Sequence, residues 1–322
     1  MMKEQIMARK EMNAVLSVDV SDESVMPTKS AWKSLDSFME GLNAKVEAVH
    51  VLQYPKRLLA DQGIQKAAKK ELDSFVKKIE LKNLSGLKLL QGSTSLNKSI
   101  EILVEHAEQK KARMIIAVSH GRRWMVRFIL GSFSEALLAK SSLPVLFMSR
   151  KAVAKGNRLL FITDFSKASK AAFQLFLDQF HELDQELLVY HALPPLYEYT
   201  AMMETYPAAS RKYADDQMAE MVNQALKEGW SVRSLVEENV LDIPKGVQKV
   251  VRNEHIALIG FSSIAARYGV AFIGNVAKRV FRLEGVNKWV CGPKTIERMM
   301  GKRKVPVRAV KAHRARVSEI RA

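Results

Sequence analysis

The feature that most constrains this chain is an internal duplication. The segment NAVLSVDVSDES begins at residue 13 and NRLLFITDFSKAS at residue 157, which places Asp19 and Asp164 at matching positions 145 residues apart. Two further anchors, AVHVL with VYHAL and FILGSFSEALL with AFIGNVAKRVF, align at offsets of 141 and 143 residues. Three separate anchors at nearly one offset indicate one structural unit written twice.

Each half alternates short apolar runs with amphipathic stretches. The runs VLSV, MIIAV and PVLFM are continuously apolar, as parallel strands covered on both faces are. The stretch LNKSIEILVEHAEQK instead repeats apolar residues at helical spacing. This alternation predicts an α/β fold of two doubly wound domains, each a five-stranded parallel sheet with helices on both faces. The short polar linker between the halves predicts that the two domains stay close and pack as a pseudo-dimer.

The element boundaries follow from the same pattern. In the first half we predict strands at 13–19, 46–52, 86–91, 113–119 and 144–148, and helices near 27–42, 65–80, 96–110 and 132–140. In the second half we predict strands near 158–163, 186–192, 231–236, 256–260 and 286–291, and helices near 168–181, 208–228 and 244–253. Domain 1 is expected at 11–150 and domain 2 at 156–293, joined by the short polar linker SRKAVAKGN.

The charge is concentrated at the end of the chain. The formal net charge is +17, and the segment 294–322 has ten Lys or Arg residues against two Glu. We predict a basic C-terminal tail there. Such a tail is either solvated or contacts an anionic partner, and the composition leaves both alternatives open.

The remaining composition restricts the class of protein. A single cysteine, Cys291, excludes an intrachain disulfide and fits a reducing compartment. No apolar run approaches the roughly 20 residues of a membrane span, and the first residues, MMKEQIMARKEM, lack the apolar core of a signal peptide. We therefore expect a cytoplasmic protein without a transmembrane segment.

Catalytic motifs are not evident in the sequence. The seven histidines are scattered, and the lone cysteine has no neighbouring ligand, so no metal site is expected. The chain has no P-loop, no G-x-S-x-G motif and no recognisable nucleophile–base pair. We expect a binding protein and not an enzyme. His50 and His191 are expected to be strand residues that make structural hydrogen bonds.

The combined pattern resembles the universal stress protein family. It consists of a strand followed by Asp-x-Ser and a helix, a VHV strand, a glycine pattern that ends in Gly-Ser, and Pro-Val before the last strand. The resemblance covers both halves, so the chain is similar to a tandem universal stress protein. It implies that the last strands, PVLFM and NKWVCG, pair within one molecule, with further dimerisation left open. It also implies binding of ATP or a related adenine nucleotide.

The resemblance assigns the base-binding residues of the first half. Asp19, at the end of the first strand, would meet the adenine. Val51, which follows His50 on the second strand, would lend backbone contacts to the base. Asp19 has a structural alternative, because a carboxylate also stabilises the N-terminus of a following helix.

The same resemblance places the phosphates in the loop VSHGRRWMVRFILGS. The family pattern starts at Val118, where the family has glycine, and the remaining candidates are His120, Gly121, Arg122, Gly131 and Ser132. A glycine at 131 lets the backbone approach a ligand, and Ser132 is a natural helix N-cap whose hydroxyl can reach a phosphate. In the structural alternative, Ser132 only caps its helix, Gly131 only makes a tight turn, and the arginines of the loop form a solvated surface.

The second half departs further from the family pattern. Asp164 and Ser166 keep the family form, but Gly260 stands one residue too far from Gly274, and Asn275 replaces Ser or Thr. We expect a degenerate site there. The leading function is a stress-response binding or regulatory protein that holds a nucleotide in domain 1. The alternative is an interaction protein that binds no nucleotide and acts through its surface and basic tail.

Overall fold

The chain folds into alternating strands and helices along its described length. The computed structural model describes residues 11–19, 27–55, 58, 60–79, 81–118, 132–150, 156–195, 205–264 and 275–301. The strands within these ranges are β1 (Met12–Ser17), β2 (Ala44–Leu52), β3 (Leu84–Gln91), β4 (Met114–Val118), β5 (Val145–Met148), β6 (Arg158–Ile162), β7 (Glu186–Ala192), β8 (Val232–Glu237), β9 (Ile256–Ser262) and β10 (Asn287–Cys291). The helices are α1 (Lys29–Gly41), α2 (Gln62–Ile79), α3 (Leu96–Gln109), α4 (Ser132–Lys140), α5 (Lys167–Phe180), α6 (Thr205–Lys227), α7 (Ile243–Asn253), α8 (Asn275–Phe281) and α9 (Pro293–Met299).

These strands form one continuous sheet in the order β3-β2-β1-β4-β5-β10-β9-β6-β7-β8. Neighbours within each half are parallel, whereas β5 and β10 are antiparallel, with Leu146 opposite Trp289. These two residues are 143 residues apart, the offset of the third sequence anchor, so a local two-fold axis passes between them. The predicted α/β fold with a mostly parallel sheet is confirmed, and its two halves share one sheet.

Helices cover both faces of this sheet. On one face, α1, α2, α5 and α6 bury a cluster that includes Leu35, Phe75, Phe173 and Met218. On the other face, α3, α4, α7 and α8 bury a cluster that includes Leu103, Leu138, Val247 and Val280. Burial of the strands from both sides explains why their sequences are continuously apolar.

The two halves differ in the connection between their first strand and first helix. In the second half, Ser166 directly caps α5, and its side chain accepts a hydrogen bond from Ser169 N at 3.1 Å. In the first half, residues 18–28 separate β1 from α1, and Thr28 is the cap, accepting from Ala31 N at 3.2 Å. In the second half the Asp-x-Ser motif therefore leads directly into a helix.

The end of domain 2 lies further along the chain than the predicted boundary. Residues 294–299 belong to α9, which packs against both α4 and α5. Ile296 is buried, and the Thr295 hydroxyl donates to Ser141 O at 3.1 Å. The predicted tail is wrong for these residues, because buried contacts hold them in the folded body. Residues 302–322 lie outside the described part of the chain.

Large and small side chains are matched beside the two-fold axis. Gly260 of β9 is paired with Trp289 of β10, and a Cβ on Gly260 would lie 2.4 Å from Cε2 of Phe176. The Trp289 indole is fully buried and donates to Gln179 Oε1 at 3.1 Å. The missing side chain at 260 thus makes room for the aromatic cluster between β9, β10 and α5.

We expect Gly260→Ala to destabilise the protein, because the added methyl group forces Phe176 out of its position. Overpacking of this kind costs about 1–3 kcal/mol. Gly86→Ala is the matched control, since a Cβ there would only contact the Glu47 side chain at 3.8 Å. Urea denaturation should show a lower midpoint for Gly260→Ala alone. Equal midpoints for the two variants would contradict the packing role of Gly260.

A lysine is buried at the junction between the halves. Lys288 of β10 is 3% exposed, lies opposite Phe147 of β5, and donates its ammonium to Leu283 O. Burial lowers the pKa of Lys288 from its ordinary 10.5 to about 8. The matching residue of the first half is Val145. Because burial lowers the pKa of Lys288, protonation of this side chain opposes folding.

Stability should accordingly depend on pH through Lys288. The unfolded chain holds this proton more tightly than the folded chain, so the free energy of unfolding should rise between pH 8 and 10.5. A difference of this size corresponds to about 3 kcal/mol. We expect Lys288→Met to unfold at a higher temperature than wild type at pH 7 and to lose this part of the rise. Identical pH profiles for both proteins would contradict the assignment.

Candidate functional site

The strand order places two equivalent crevices at opposite edges of the sheet. In open α/β sheets, ligands bind at the carboxyl ends of the strands where the strand order reverses. This position lies between β1 and β4 in the first half and between β6 and β9 in the second. Because the halves meet through an antiparallel pair, these two crevices face away from each other.

A histidine side chain fixes the backbone beside each crevice. His50 Nδ1 lies 3.0 Å from Val18 O, and His191 Nδ1 lies 2.8 Å from Thr163 O. The acceptor is a carbonyl in both cases, so the ring nitrogen donates. Each bond ties the second strand to the residue before the candidate aspartate. The predicted structural role of both histidines is confirmed, and burial lowers the pKa of His191 from 6.5, which keeps its ring neutral at pH 7.

The first crevice brings three of the predicted residues to one sheet edge. Asp19 follows β1 and is exposed, Val51 is half-buried near the end of β2, and Val118 is the last residue of β4. The side chain of Val118 is buried in the core cluster with Leu16. It therefore does not project into the crevice, although its family counterpart is glycine.

The backbone of Val51 is directed toward Asp19. Val49 O accepts from Val18 N at 2.9 Å, so the polar backbone groups of Val49 point toward β1. Val51 lies two residues further and presents its own groups in the same direction, past the last β1–β2 pair. Asp19 follows β1, so it and these peptide groups lie at the same end of neighbouring strands.

Gly92 supports this edge and was missed by the sequence analysis. Its N–H donates to Leu52 O at 3.0 Å, and a Cβ at this position would lie 2.6 Å from Val51 Cγ1. Only glycine lets the chain leave β3 so close to Val51. The signal was present in the sequence QGSTS, in which a glycine and serines follow an apolar run and precede a helix.

Most of the predicted phosphate loop lies outside the described residues. This is the case for the candidates His120, Gly121, Arg122 and Gly131. Ser132 is described, and it is exposed as the first residue of α4. Of these phosphate-side candidates, the structure therefore describes Ser132 at the start of α4.

In the second crevice the corresponding polar groups are engaged locally. Asp164 Oδ1 accepts from Ser166 N at 3.0 Å, and the Ser166 hydroxyl caps α5. Between them, Phe165 has a positive φ of 58° and is buried. Its ring centroid lies 4.2 Å from that of His191. An aromatic side chain thus covers the histidine at this edge.

Gly260 does not belong to a ligand-binding loop. It pairs with Phe161 and Trp289 in the middle of the sheet, as Ile116 pairs with Leu16 and Leu146 in the first half. Gly260 is therefore the counterpart of Ile116, and its predicted role is wrong because the glycine spacing misaligned the two halves. By the same register, the counterpart of Val118 is Ser262.

The other predicted residues of the second half lie around the following helix. The Ser262 hydroxyl accepts from Ile264 N at 3.3 Å. Asn275 is the first residue of α8, and Gly274 lies outside the described residues.

In the part of the chain that the structure describes, no cluster of three His, Cys, Asp or Glu residues could bind a metal ion. No helix in those ranges is long and apolar enough to cross a membrane.

Comparison with known proteins gives one family-model match and several structures of similar fold. Residues 22–148 match the model of the universal stress protein family. A universal stress protein from Archaeoglobus fulgidus DSM 4304 superposes with a TM-score of 0.60 at 19% identity, covering 87% of this chain and 96% of that chain. A functionally unknown protein from Pseudomonas aeruginosa PAO1 has a TM-score of 0.59 at 14% identity, covering 89% of this chain and 95% of its own.

A shorter structure matches only one part of the chain. It is a universal stress protein from Archaeoglobus fulgidus in complex with dAMP, 20% identical, which covers 42% of this chain and 97% of its own with a TM-score of 0.32. No curated protein matches the chain. The first half thus matches the universal stress protein family model over residues 22–148, and the second α/β half fits a tandem arrangement of the same fold.

Proposed function

We propose that the chain is a tandem universal stress protein whose first half binds ATP or a related adenine nucleotide at the carboxyl ends of β1, β2 and β4. The chain then acts in the cytoplasm as a stress-type regulatory binding protein without catalysing a reaction. The observation that carries the proposal is the convergence of Asp19, the Val51 backbone and the end of β4 at the point where the strand order reverses.

The chemistry of this edge fits the base and ribose of a nucleotide. The exposed carboxyl group of Asp19 is an acceptor for a base amine or a ribose hydroxyl. The peptide groups of Val51 supply both a donor and an acceptor beside it. The half-buried side chain of Val51 would add apolar contact with the ring. Binding would therefore combine a few directed hydrogen bonds with apolar contact.

The phosphates are assigned to the start of α4. This helix has nine residues and begins with the exposed Ser132, and a helix N-terminus favours a negative charge. His120, Gly121, Arg122 and Gly131 remain predicted contacts, since their part of the loop is outside the described residues. Val118 is compatible with this arrangement because its side chain is buried in the core.

The second half is proposed to bind nucleotide weakly or not at all. Its aspartate and serine satisfy a turn and a helix cap, and Phe165 covers His191. Gly260 is committed to packing against Phe176. The two halves would thus have different roles: the first half binds the ligand, and the second half is its structural partner.

The direct test is titration of the purified chain with ATP, ADP and cyclic AMP by calorimetry. We expect micromolar affinity for at least one of them, which corresponds to about −8 kcal/mol. Asp19→Ala should weaken binding at least tenfold, because the base or ribose loses its acceptor. The matched variant Asp164→Ala removes the same group from the second edge and should leave the affinity unchanged.

Two results would contradict the proposal. The first is a folded wild-type protein that binds none of the three nucleotides, because the first half would then have no nucleotide ligand. Equal loss of affinity in Asp19→Ala and Asp164→Ala would show that the first edge has no special role. Circular dichroism of each variant checks that the fold is intact.

A further inference from the structure

The contact between the two halves is symmetric in its backbone and asymmetric in its side chains. Around the two-fold axis, β5 and α4 of the first half face β10 and α8 of the second half. In a true two-fold interface, equivalent residues meet each other only next to the axis. The charge and size of the residues that meet at such positions therefore indicate which halves can pair at the interface.

The clearest pair is formed by two charged residues. Glu135 and Lys278 are 143 residues apart and occupy the same position in α4 and α8. Glu135 Oε1 lies 3.7 Å from Lys278 Nζ and is buried from solvent. Pairing of two first halves would place Glu135 against Glu135, and pairing of two second halves would place Lys278 against Lys278. Both alternatives replace an ion pair by a repulsion.

The sheet itself carries a second asymmetry. Leu146 and Trp289 are the equivalent residues that face each other across β5 and β10. The indole of Trp289 fits because Gln179 accepts its N–H and Gly260 leaves space for Phe176. Two copies of β10 would bring two indoles together at the axis, and two copies of β5 would leave the indole's volume unfilled.

A third contact also has no counterpart in the other half. The Arg113 guanidinium of the first half donates from Nη2 to Asp178 O at the end of α5, at 3.0 Å. The residue that matches Arg113 is Ala257, which has no donor to return the contact. Gln179 Nε2 approaches Arg113 O at 3.5 Å on the same seam.

From these contacts we infer that the β5–β10 interface is selective for unlike halves. Its partner surface is an unlike half, which in this structure is the other half of the same chain, and the like half of a second copy is excluded from it. Assembly with another copy through like halves therefore has to use a different surface. This selectivity is independent of whether either edge of the sheet binds a nucleotide.

The selectivity is tested first by a charge-reversal cycle in the full chain. Glu135→Lys and Lys278→Glu should each lower the melting temperature, by roughly 2 °C for a partly exposed pair. The double reversal restores opposite charges and should recover most of the loss, and 1 M salt should abolish the difference through screening. Strictly additive losses in the double variant would overturn the inference.

Cross-linking then tests which chains meet at the axis. Glu135→Cys/Lys278→Cys treated with a short bis-maleimide should give an internally linked single chain. Each single cysteine variant should give no covalent dimer, because equivalent residues of two copies do not meet. Native Cys291 is fully buried and is common to all variants. Covalent dimers from either single variant, at a yield like that of the internal link, would also overturn the inference.

Discussion

The antiparallel pairing of β5 with β10 is the contact on which the rest of the structure depends. Without this pairing, each of the two strands would be the exposed edge of a five-stranded parallel sheet, with unpaired peptide groups. Their sequences, VLFM and NKWVC, are buried at every position in the structure. Their pairing converts two edges into the centre of one sheet. It also directs the carboxyl ends of the two halves to opposite sides, so the two candidate crevices are separate.

Side chains have diverged between the halves around this common backbone. The second half has Trp289 and Gly260 where the first has Leu146 and Ile116, and Lys288 where the first has Val145. These changes are matched to each other across the junction, so neither half presents the surface of the other. At the carboxyl ends of the strands the second half has its own local contacts, because Asp164 and Ser166 form a turn and a helix cap, and Phe165 packs on His191.

Much of the fold could be predicted because duplication and apolar runs are local signals. The boundaries of strands such as β7 and helices such as α4 agree with the pattern, since a buried parallel strand is apolar along its whole length. The short helices α8 and α9 were not predicted, because one or two turns produce too little periodicity. The C-terminal boundary was misplaced for the same reason, as Ile296 is the main apolar signal in a basic stretch.

The candidate site was harder to predict, because it depends on register. Glycine spacing placed Gly260 in a loop, whereas hydrogen-bonded pairing with Phe161 and Trp289 places it within a strand. Gly92 was overlooked because its role arises only when β2 and β3 lie side by side. Asp19 and Val51 were assigned from the family resemblance; Asp19 follows β1 and Val51 lies near the end of β2, and the carboxyl ends of parallel strands share one side of a sheet.

The most direct test of the account is hydrogen–deuterium exchange of the full chain with and without saturating ATP. The account predicts slower exchange in the peptides that contain the end of β1, the end of β2 and the loop before α4. It predicts no change at 163–166, 191–193 and 262–264, which form the other edge of the sheet. Equal protection of both edges, or protection of neither, would contradict the division of the chain into a nucleotide-binding half and a structural half.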